Sequence, residues 1–252
     1  MFGELRIQSG NITVRLAKSK EEIEQAQKLR YEMLVLDFDE TKDVNGSDAS
    51  EYDEFCDHLI AIDEDTKKVV GTYRLMSNFH LVHKDKFICE EEFDVTRLKD
   101  CGDNILELGR AVVDKNYRNG VVIKLLWQAL FTYCKLKNIR YMFGTGSFHG
   151  LNKNDYLNAF SWLYYEHKID DKHDCFAKEP CSKMDLLPRE EVEVRLAKQE
   201  MPALIKGYVA LGSKVGSGVY FDHDFNSTDV MLIFDLENVN KAYAKRMFGV
   251  EL

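Results

Sequence analysis

The most constraining feature of the sequence is an apolar stretch, residues 105–113, that a short polar turn joins to a long amphipathic segment. The stretch has the length and composition of a strand, and the turn spans residues 114–119. Over residues 120–136, apolar side chains recur with the 3.6-residue period of a helix. The predicted inner face of this helix comprises Val122, Leu125, Leu126, Ala129, Leu130 and Tyr133.

Strands and helices are mixed along the rest of the chain. Further strands are predicted at residues 12–16, 58–62, 69–75 and 141–147, and Ser19 begins a capping motif that predicts a helix. This mixture indicates an α/β (α+β) fold. The chain has 252 residues, three prolines and no Gly/Ser/Pro-rich linker, so residues 1–252 are predicted to form a single domain.

Composition excludes several classes of protein. The formal net charge of −9 disfavours a nucleic-acid partner, because phosphates are repelled unless a strong basic patch intervenes. The six cysteines include no C-x-x-C pair, and the N-terminus shows no secretory signal. No apolar run reaches the roughly 18 residues of a membrane span. We therefore expect a cytoplasmic protein with free thiols.

The turn before the long helix has the chemistry of an anion site. Arg118 supplies charge, Gly120 permits close backbone approach, and a helix N-terminus offers unpaired N–H groups. This combination suits a phosphate, such as that of a phosphopantetheine arm. The alternative is an ordinary strand–helix connection with a solvated arginine. The motif is neither a Walker loop nor G-x-G-x-x-G.

Several motifs together resemble a known family. Tyr117-Arg118-Asn119-Gly120 resembles the acyl-thioester turn of the GNAT acyltransferases, [QR]-x-x-G-x-[GA]. This chain keeps Arg118 in the first position but has Asn119-Gly120-Val121-Val122 after it, and the second small residue is missing. Leu106-Glu107-Leu108-Gly109-Arg110 carries E-x-x-R on the preceding strand. Together with Arg30, Asp57, Arg74 and the segment 204–235, the set is similar to the GNAT-related ornithine-lipid N-acyltransferases, also labelled hemolysin-like. Acyl-homoserine-lactone synthases are a sister group.

The resemblance implies a fold and an activity. The fold would be a GNAT-like central, mixed and splayed β-sheet flanked by helices, with a family-specific C-terminal part over about residues 150–252. The activity would be transfer of a long (3-hydroxy)acyl chain from acyl carrier protein, or from CoA, to the α-amine of ornithine or a related amino acid. The alternatives are a homoserine-lactone-type or other GNAT acyltransferase, or a non-enzymatic, hemolysin-like protein acting on membranes.

The resemblance also assigns roles to residues. Glu107 and Arg110 would be catalytic, with Glu107 as general base, directly or through water, and its pKa raised by burial. Side chains alternate along a strand, so a shared face for these two residues requires a bulge. Backbone N–H groups of Ala111, Val112 and Val113 would receive the thioester oxygen. The alternative for Glu107 and Arg110 is a buried ion pair that orders the sheet.

Substrate and donor are assigned in the same way. Asp57 would hold the amino group of the amino acid, and Arg74 or Arg30 its carboxylate; alternatively, Asp57 and Arg74 form one salt bridge. Arg118, Asn119 and Gly120 would bind the phosphopantetheine. No tightly bound cofactor is expected.

Partners follow from charge and hydropathy. Residues 114–141 contain six basic side chains (Lys115, Arg118, Lys124, Lys135, Lys137 and Arg140), which would attract an acidic carrier protein; an ordinary solvated helix face is the alternative. The apolar segment Ala203–Leu211 suggests peripheral contact with the inner face of the membrane, although core packing fits it better. Asp222, Asp224 and Asp229 lack EF-hand spacing and are interpreted as turn residues, so no metal is assigned.

Overall fold

Apolar residues recur along the chain with periods of two and of 3.6 residues, and these periods become strands and helices in the computed structural model, which describes residues 5–36, 43 and 46–250. The strands of the described residues are β1 (Arg6–Ser9), β2 (Ile12–Leu16), β3 (Asp57–Asp63), β4 (Lys68–Ser77), β5 (Phe93–Asp94), β6 (Asn104–Val113), β7 (Ile139–His149), β8 (Phe176–Ala177), β9 (Cys181–Ser182), β10 (Lys214–Asp222) and β11 (Ser227–Asp235). The α-helices are α1 (Lys20–Tyr31), α2 (Thr96–Lys99), α3 (Val121–Leu136), α4 (Leu157–His167), α5 (Val194–Glu200), α6 (Ala203–Leu211) and α7 (Lys241–Phe248).

Two units are distinguished by their internal contacts, and each is drawn from separate stretches of the chain. The first comprises Met1–Asp85, Leu108–Ile139 and Ala244–Leu252, and the second comprises Lys86–Glu107 and Arg140–Tyr243. Strand β6 carries the chain from the second unit into the first. The prediction that residues 1–252 form a single domain with an elaboration from about residue 150 stays a prediction.

The first unit is built on a sheet with the strand order β1-β2-β3-β4-β6, in which β1 to β4 are antiparallel neighbours. Helix α1 packs on one face, where Ala26, Leu29 and Met33 join Ile60, Ile62, Val69 and Val112 in one apolar cluster. Helix α3 packs on the other face. Its close approach there requires Gly71, since a Cβ at this position would lie 2.7 Å from Val122 Cγ1.

Helix α3 matches the predicted helix closely. All six residues of the predicted inner face are buried. Its N-cap is Gly120 with a φ of 91°, a left-handed conformation that glycine adopts without steric cost. Near the chain end, the ring of Phe248 stacks on Trp127 of α3 at 5.1 Å between centroids.

The second unit has the strand order β7-β11-β10-β8-β5, with β9 also paired to β10. Strands β7 and β11 are antiparallel, whereas β8 and β10 are parallel, so this sheet is mixed. Helix α6 buries Ile205, Tyr208 and Leu211 and leaves Leu204 exposed. This confirms the expectation that α6 serves mainly in core packing.

The predicted mixed α/β class is confirmed. The predicted strands at residues 12–16, 58–62, 69–75, 105–113 and 141–147 all fall within observed strands. In the described part of the chain, no helix is both long and apolar enough to cross a bilayer.

Candidate active site

The turn between β6 and α3 leaves the start of the helix accessible. Asn119 and Gly120 are exposed, and no atom lies within 4 Å of a Cβ built on Gly120. The amide of Val121 donates to Asn119 Oδ1 at 3.1 Å. The amides of the next two residues have no acceptor within the helix, because the first turn of any α-helix lacks the preceding carbonyls. The geometry provides amides and a positive dipole end to an incoming phosphate.

Arg118 lies against the end of β6 in this turn. Its Nε donates to the carbonyl of Val113 at 3.0 Å, and its Nη2 lies 3.4 Å from Met33 Sδ. The guanidinium is therefore anchored beside the predicted thioester-binding residues of β6. Positive charge is held at the mouth of the turn in this arrangement.

Strand β6 is irregular at the E-x-x-R motif. Arg110 has a φ of 53°, a left-handed conformation that costs a non-glycine residue about 1–2 kcal/mol. Regular alternation of side chains stops at such a residue. An interruption of this kind is what Glu107 and Arg110 need to share one face of the strand. The Arg110 side chain is partly exposed, and its Nε donates to Asp48 Oδ2 at 3.0 Å.

A buried carboxylate that the sequence analysis did not select, Asp53, organises the first unit. It lies in a 3-10 turn, Glu51–Glu54, just before β3. Its Oδ2 accepts from Arg30 Nη2 at 2.8 Å, and its Oδ1 accepts from Arg74 Nη1 at 3.2 Å. Burial raises the pKa of Asp53, but the two guanidinium groups outweigh it and lower the pKa to about 2.

Asp48 extends this cluster toward β6. Its Oδ2 lies 2.8 Å from Arg30 Nε and 3.0 Å from Arg110 Nε. The result is a continuous chain of ion pairs, which we call the arginine cluster: Arg74, Asp53, Arg30, Asp48 and Arg110. It contains three positive and two negative side chains, so its net charge of about +1 suits a carboxylate ligand. Burial lowers the pKa of the neighbouring His58 imidazole.

Asp57 is not part of the arginine cluster. Its Oδ2 accepts from Tyr133 Oη of α3 at 2.8 Å and lies 3.8 Å from His80 Nε2. The register explains the separation: Arg74 pairs across the strands with His58, and Asp57 pairs with Leu75. Adjacent residues on a strand point to opposite faces, so Asp57 and Arg74 do too. The structure thus brings Arg30, Arg74 and Arg110 together but separates Asp57 from them, and the proposed Asp57–Arg74 salt bridge is wrong.

Glu107 belongs to the second unit and is 5% exposed. Its two carboxylate oxygens accept from the amides of Ile88 and Cys89, both at 2.8 Å. These amides open the 3-10 turn Ile88–Glu91. Burial and the neighbouring Glu107 carboxylate raise the pKa of the Cys89 thiol well above its ordinary value. Amide donors of this kind fix the orientation of a carboxylate.

Asp222 and Asp224 lie at the turn between β10 and β11, as expected from the sequence, whereas Asp229 lies within β11, so the turn role predicted for it is wrong. Asp222 accepts from the amides of Asp224 and Phe225 at 2.8 and 3.0 Å, and Asp229 accepts from Ser227 Oγ at 2.9 Å. Glu92, Asp222 and Asp229 place one oxygen each within 4.8 Å of one another. Acidic groups of this kind are common without an ion, so no metal is assigned.

No sequence pattern distinguished Asp53 and Asp48 from the neighbouring acidic residues. The segment around Asp53 contains several carboxylates, and the spacing alone does not reveal which of them turns inward. Arg30 and Arg74 gave a weak indication that such acidic partners exist, because a buried arginine requires a carboxylate partner.

Comparisons with known proteins point in one direction. A family model for the acetyltransferase (GNAT) domain matches residues 29–128. The L-ornithine N(alpha)-acyltransferase of Brucella abortus is 36% identical, and the alignment covers 96% of this chain and 90% of that protein. The protein of the same name from Rhodobacter capsulatus is 34% identical, with 94% and 96% covered.

Two solved structures resemble the chain in fold. FeeM, an N-acyl amino acid synthase from uncultured soil microbes, has a TM-score of 0.50 at 10% identity, covering 91% of this chain and 93% of that one. The AHL synthase LasI has a TM-score of 0.51 at 13% identity, covering 97% and 98%. At such low identity these similarities concern the fold alone, and they confirm the predicted GNAT-like architecture.

Proposed function

The chain belongs to the L-ornithine N(alpha)-acyltransferase family of acyltransferases, and we propose that it attaches a long (3-hydroxy)acyl chain, taken from the thioester of an acyl carrier protein, to the α-amine of ornithine or a related amino acid. The observation that carries the proposal is similarity over nearly the full length of both proteins, not over the GNAT domain alone. The free thiols of all six cysteines support a cytoplasmic location as part of this proposal.

In this proposal, the arginine cluster recognises the carboxylate of the amino acid. Arg30 and Arg74 are buried and already paired with Asp53, whereas the Arg110 side chain is 30% exposed. Arg110 is therefore the member best placed to contact a substrate, and Arg30 and Arg74 hold its surroundings in place. Asp57 lies on the face of the sheet that α3 covers. We still propose it to bind the amino group of the substrate, but separately from the arginine cluster.

The donor is proposed to bind at the β6–α3 turn. Arg118, Asn119 and Gly120 would hold the phosphate of the phosphopantetheine arm with the first amides of α3. The amides of Ala111, Val112 and Val113 would receive the thioester oxygen as it gains negative charge, a contribution often worth a few kcal/mol.

Glu107 is proposed as the general base. The neutral α-amine attacks the thioester carbonyl and forms the C–N bond, and Glu107 accepts the amine proton directly or through water. The C–S bond then breaks, and the pantetheine sulfur leaves as a thiolate that takes up this proton. The two amides on Glu107 hold its carboxylate in a fixed orientation for this step. Brønsted behaviour gives such a base a contribution of about 10² to 10⁴ in rate.

Carrier protein is proposed rather than CoA because of basic residues near the turn. Lys115 and Lys124 lie on either side of Arg118 in sequence, in a chain that is acidic as a whole. Arg140, the predicted sixth member of the basic group, is ion-paired with Asp235 at 2.8 Å and with Glu237. Lys115, Arg118 and Lys124 lie nearest the turn in sequence, and we propose that these three residues dock the carrier protein.

The proposal is tested by incubating the purified protein with acyl-carrier thioesters of several lengths and a panel of amines, and by detecting amides with mass spectrometry. The panel contains ornithine, lysine, glutamine, glycine and S-adenosylmethionine. The expected product is N-acylornithine or the amide of a related amino acid. Product from S-adenosylmethionine alone would favour the homoserine-lactone reaction, and the absence of any amide would refute the enzymatic role.

The donor preference is tested separately. The same acyl chain is supplied as carrier protein or CoA thioester, with the double variant Lys115→Gln/Lys124→Gln and, as control, Lys20→Gln, whose side chain is 85% exposed. We expect a several-fold rise in KM for the carrier thioester in the double variant only. An equal KM for both donors in the wild type would contradict the carrier assignment.

A further inference from the structure

An apolar turn protrudes from the first unit directly after β4. The 3-10 turn Asn78–Val82 carries Phe79 and Val82, which are 47% and 82% exposed. In a 3-10 turn, side chains three residues apart lie one above the other, so these two form one apolar projection. Val82 has the highest exposure among the large hydrophobic residues that the structure describes.

The turn that presents these side chains is fixed by its polar neighbours. His80 Nδ1 accepts from the amide of Ser77 at 2.9 Å, and His80 Nε2 lies 3.8 Å from Asp57 Oδ2. His83 stacks on Phe55 with 5.4 Å between centroids and 12° between planes. His80 is thereby held toward Asp57, and its neighbours Phe79 and Val82 stay exposed.

The C-terminal end of α3 lies beside this turn and adds another apolar side chain together with positive charge. Leu136 is 40% exposed, and Lys135 and Lys137 flank it as exposed residues. Tyr133, near this end of α3, donates to Asp57 Oδ2 at 2.8 Å, and the same oxygen lies 3.8 Å from His80 Nε2, which places this end of α3 next to the turn. We call Phe79, Val82 and Leu136, with Lys135 and Lys137, the Phe79 patch.

Charged residues of both signs surround the two lysines. Lys84 pairs with Glu51 at 2.6 Å, and Asp57 is shared by Tyr133 and His80. Asp85 is an exposed carboxylate that follows the turn. The lysines are also distinct from the group assigned to the carrier protein, because Lys124 and Lys135 are separated by about 16 Å along α3 at a rise of about 1.5 Å per residue.

From these observations we propose that the Phe79 patch docks the protein on an anionic lipid surface. Projecting apolar side chains enter the boundary between headgroups and acyl chains, and nearby lysines attract anionic headgroups. The choice of a lipid surface rests in part on the proposed function, whose product carries a long acyl chain and would leave into a bilayer.

The inference is tested without substrates, by flotation of the full chain with vesicles of phosphatidylcholine alone and with equal parts of phosphatidylglycerol. Wild-type protein is expected to float with the anionic vesicles, and less so as salt is raised. The variant Phe79→Ser/Val82→Ser should bind about tenfold or more weakly, since two apolar side chains no longer enter the lipid. Lys135→Gln/Lys137→Gln should lose a similar factor on anionic vesicles.

The matched control is Leu204→Ser/Met247→Ser, which changes two side chains that are 44% and 46% exposed on other helices. This control should bind like the wild type. Loss of binding in the control alone would assign the contact to α6 or α7 and overturn the proposal. Failure of the wild type to float would overturn it as well, as would equal flotation of the Phe79 variant and the wild type.

A second readout separates lipid from carrier protein. The Phe79 variant should form amides from a short, water-soluble acyl-carrier thioester at the wild-type rate. If the variant instead has a higher KM for that donor than the wild type but binds vesicles equally well, the patch is a carrier-docking surface and the lipid proposal is wrong. Because flotation needs no reaction, an absence of amide product would count against the proposed function and not against this inference.

Discussion

Two carboxylates, Asp53 and Glu107, are buried to the same degree, each 5% exposed, but they are stabilised in different ways. Asp53 in the first unit is neutralised by the side chains of Arg30 and Arg74. Glu107 in the second unit is held by the backbone amides of Ile88 and Cys89. A carboxylate between two guanidinium groups cannot accept a proton without losing two ion pairs, whereas two amides orient a carboxylate without neutralising its charge. This difference favours a structural role for Asp53 and accords with the chemical role that we propose for Glu107.

The largest expected effect is the loss of Asp53. Asp53→Asn leaves Arg74 and part of Arg30 buried without a counter-charge, which should lower the free energy of unfolding by about 3–5 kcal/mol. Urea denaturation measures this change. Asp57→Asn is the matched control, because the Asp57 side chain is 33% exposed, and it should cost far less. Equal losses in the two variants would remove the distinction between the two aspartates.

The pH dependence of the free energy of unfolding tests the charge of Asp53 in the wild-type protein. The pKa of Asp53 falls from 3.8 to about 2 in the folded chain. A depressed pKa adds stability above the unfolded pKa and loses it as pH falls through the folded value. We therefore expect about 2 kcal/mol, at 1.36 kcal/mol per pKa unit, to be lost as the pH falls from about 5 to 2. Urea denaturation over this range should show a flatter profile for Asp53→Asn; parallel profiles would contradict the assignment.

Glu107→Gln tests the chemical half of the comparison. The amide keeps the size of the side chain but cannot act as a base, so turnover should fall at least about tenfold. The pH–rate profile should also lose its acidic limb, which a purely structural role would leave in place. Glu91→Gln, at a side chain that is 63% exposed, is the control. Wild-type turnover in a folded Glu107→Gln variant would exclude Glu107 from catalysis.

The smallest effect on stability is expected at Arg110, which follows Glu107 on β6 and joins the arginine cluster through Asp48. Arg110→Asn removes the guanidinium and keeps the left-handed backbone, which asparagine tolerates. Asp48 retains Arg30, so the free energy of unfolding should change by no more than about 1 kcal/mol. The KM of the amino acid should rise several-fold while kcat changes less. An unchanged KM would remove Arg110 from substrate binding.

Local features of the fold were predictable because they depend on neighbours in sequence. Ser19 caps α1 by accepting from the amide of Glu22, as the capping motif indicates. The other half of the motif differs: the Glu22 carboxylate accepts from the amide of Lys18 at 2.7 Å and pairs with Arg15 at 2.6 Å. The capping motif thus predicted the start of α1 correctly, but Glu22 pairs with Arg15 of β2 and does not accept from the N-cap amide.

Predictions for the site residues were less complete for a physical reason. Arg30, Arg74 and Arg110 were selected from the resemblance, and the structure does join them. Their partners, Asp53 and Asp48, were missed, because which acid meets an arginine depends on the turn before β3 and not on spacing. The partners of Glu107 are amides, and an amide donor has no signature in side-chain sequence.

The sequence by itself determined the order of strands and helices, the inner face of α3, the glycine at its N-cap and the membership of an acyltransferase family. Tertiary structure alone decided that Arg74 pairs with Asp53 and that Asp57 faces α3. The register of β3 and β4 places Asp57 and Arg74 on opposite faces of the sheet. The buried guanidinium groups of Arg30 and Arg74 require a carboxylate on their own face, and Asp53 supplies it. The periodicity of a segment is local, whereas the choice of ion partner depends on contacts between residues distant in sequence.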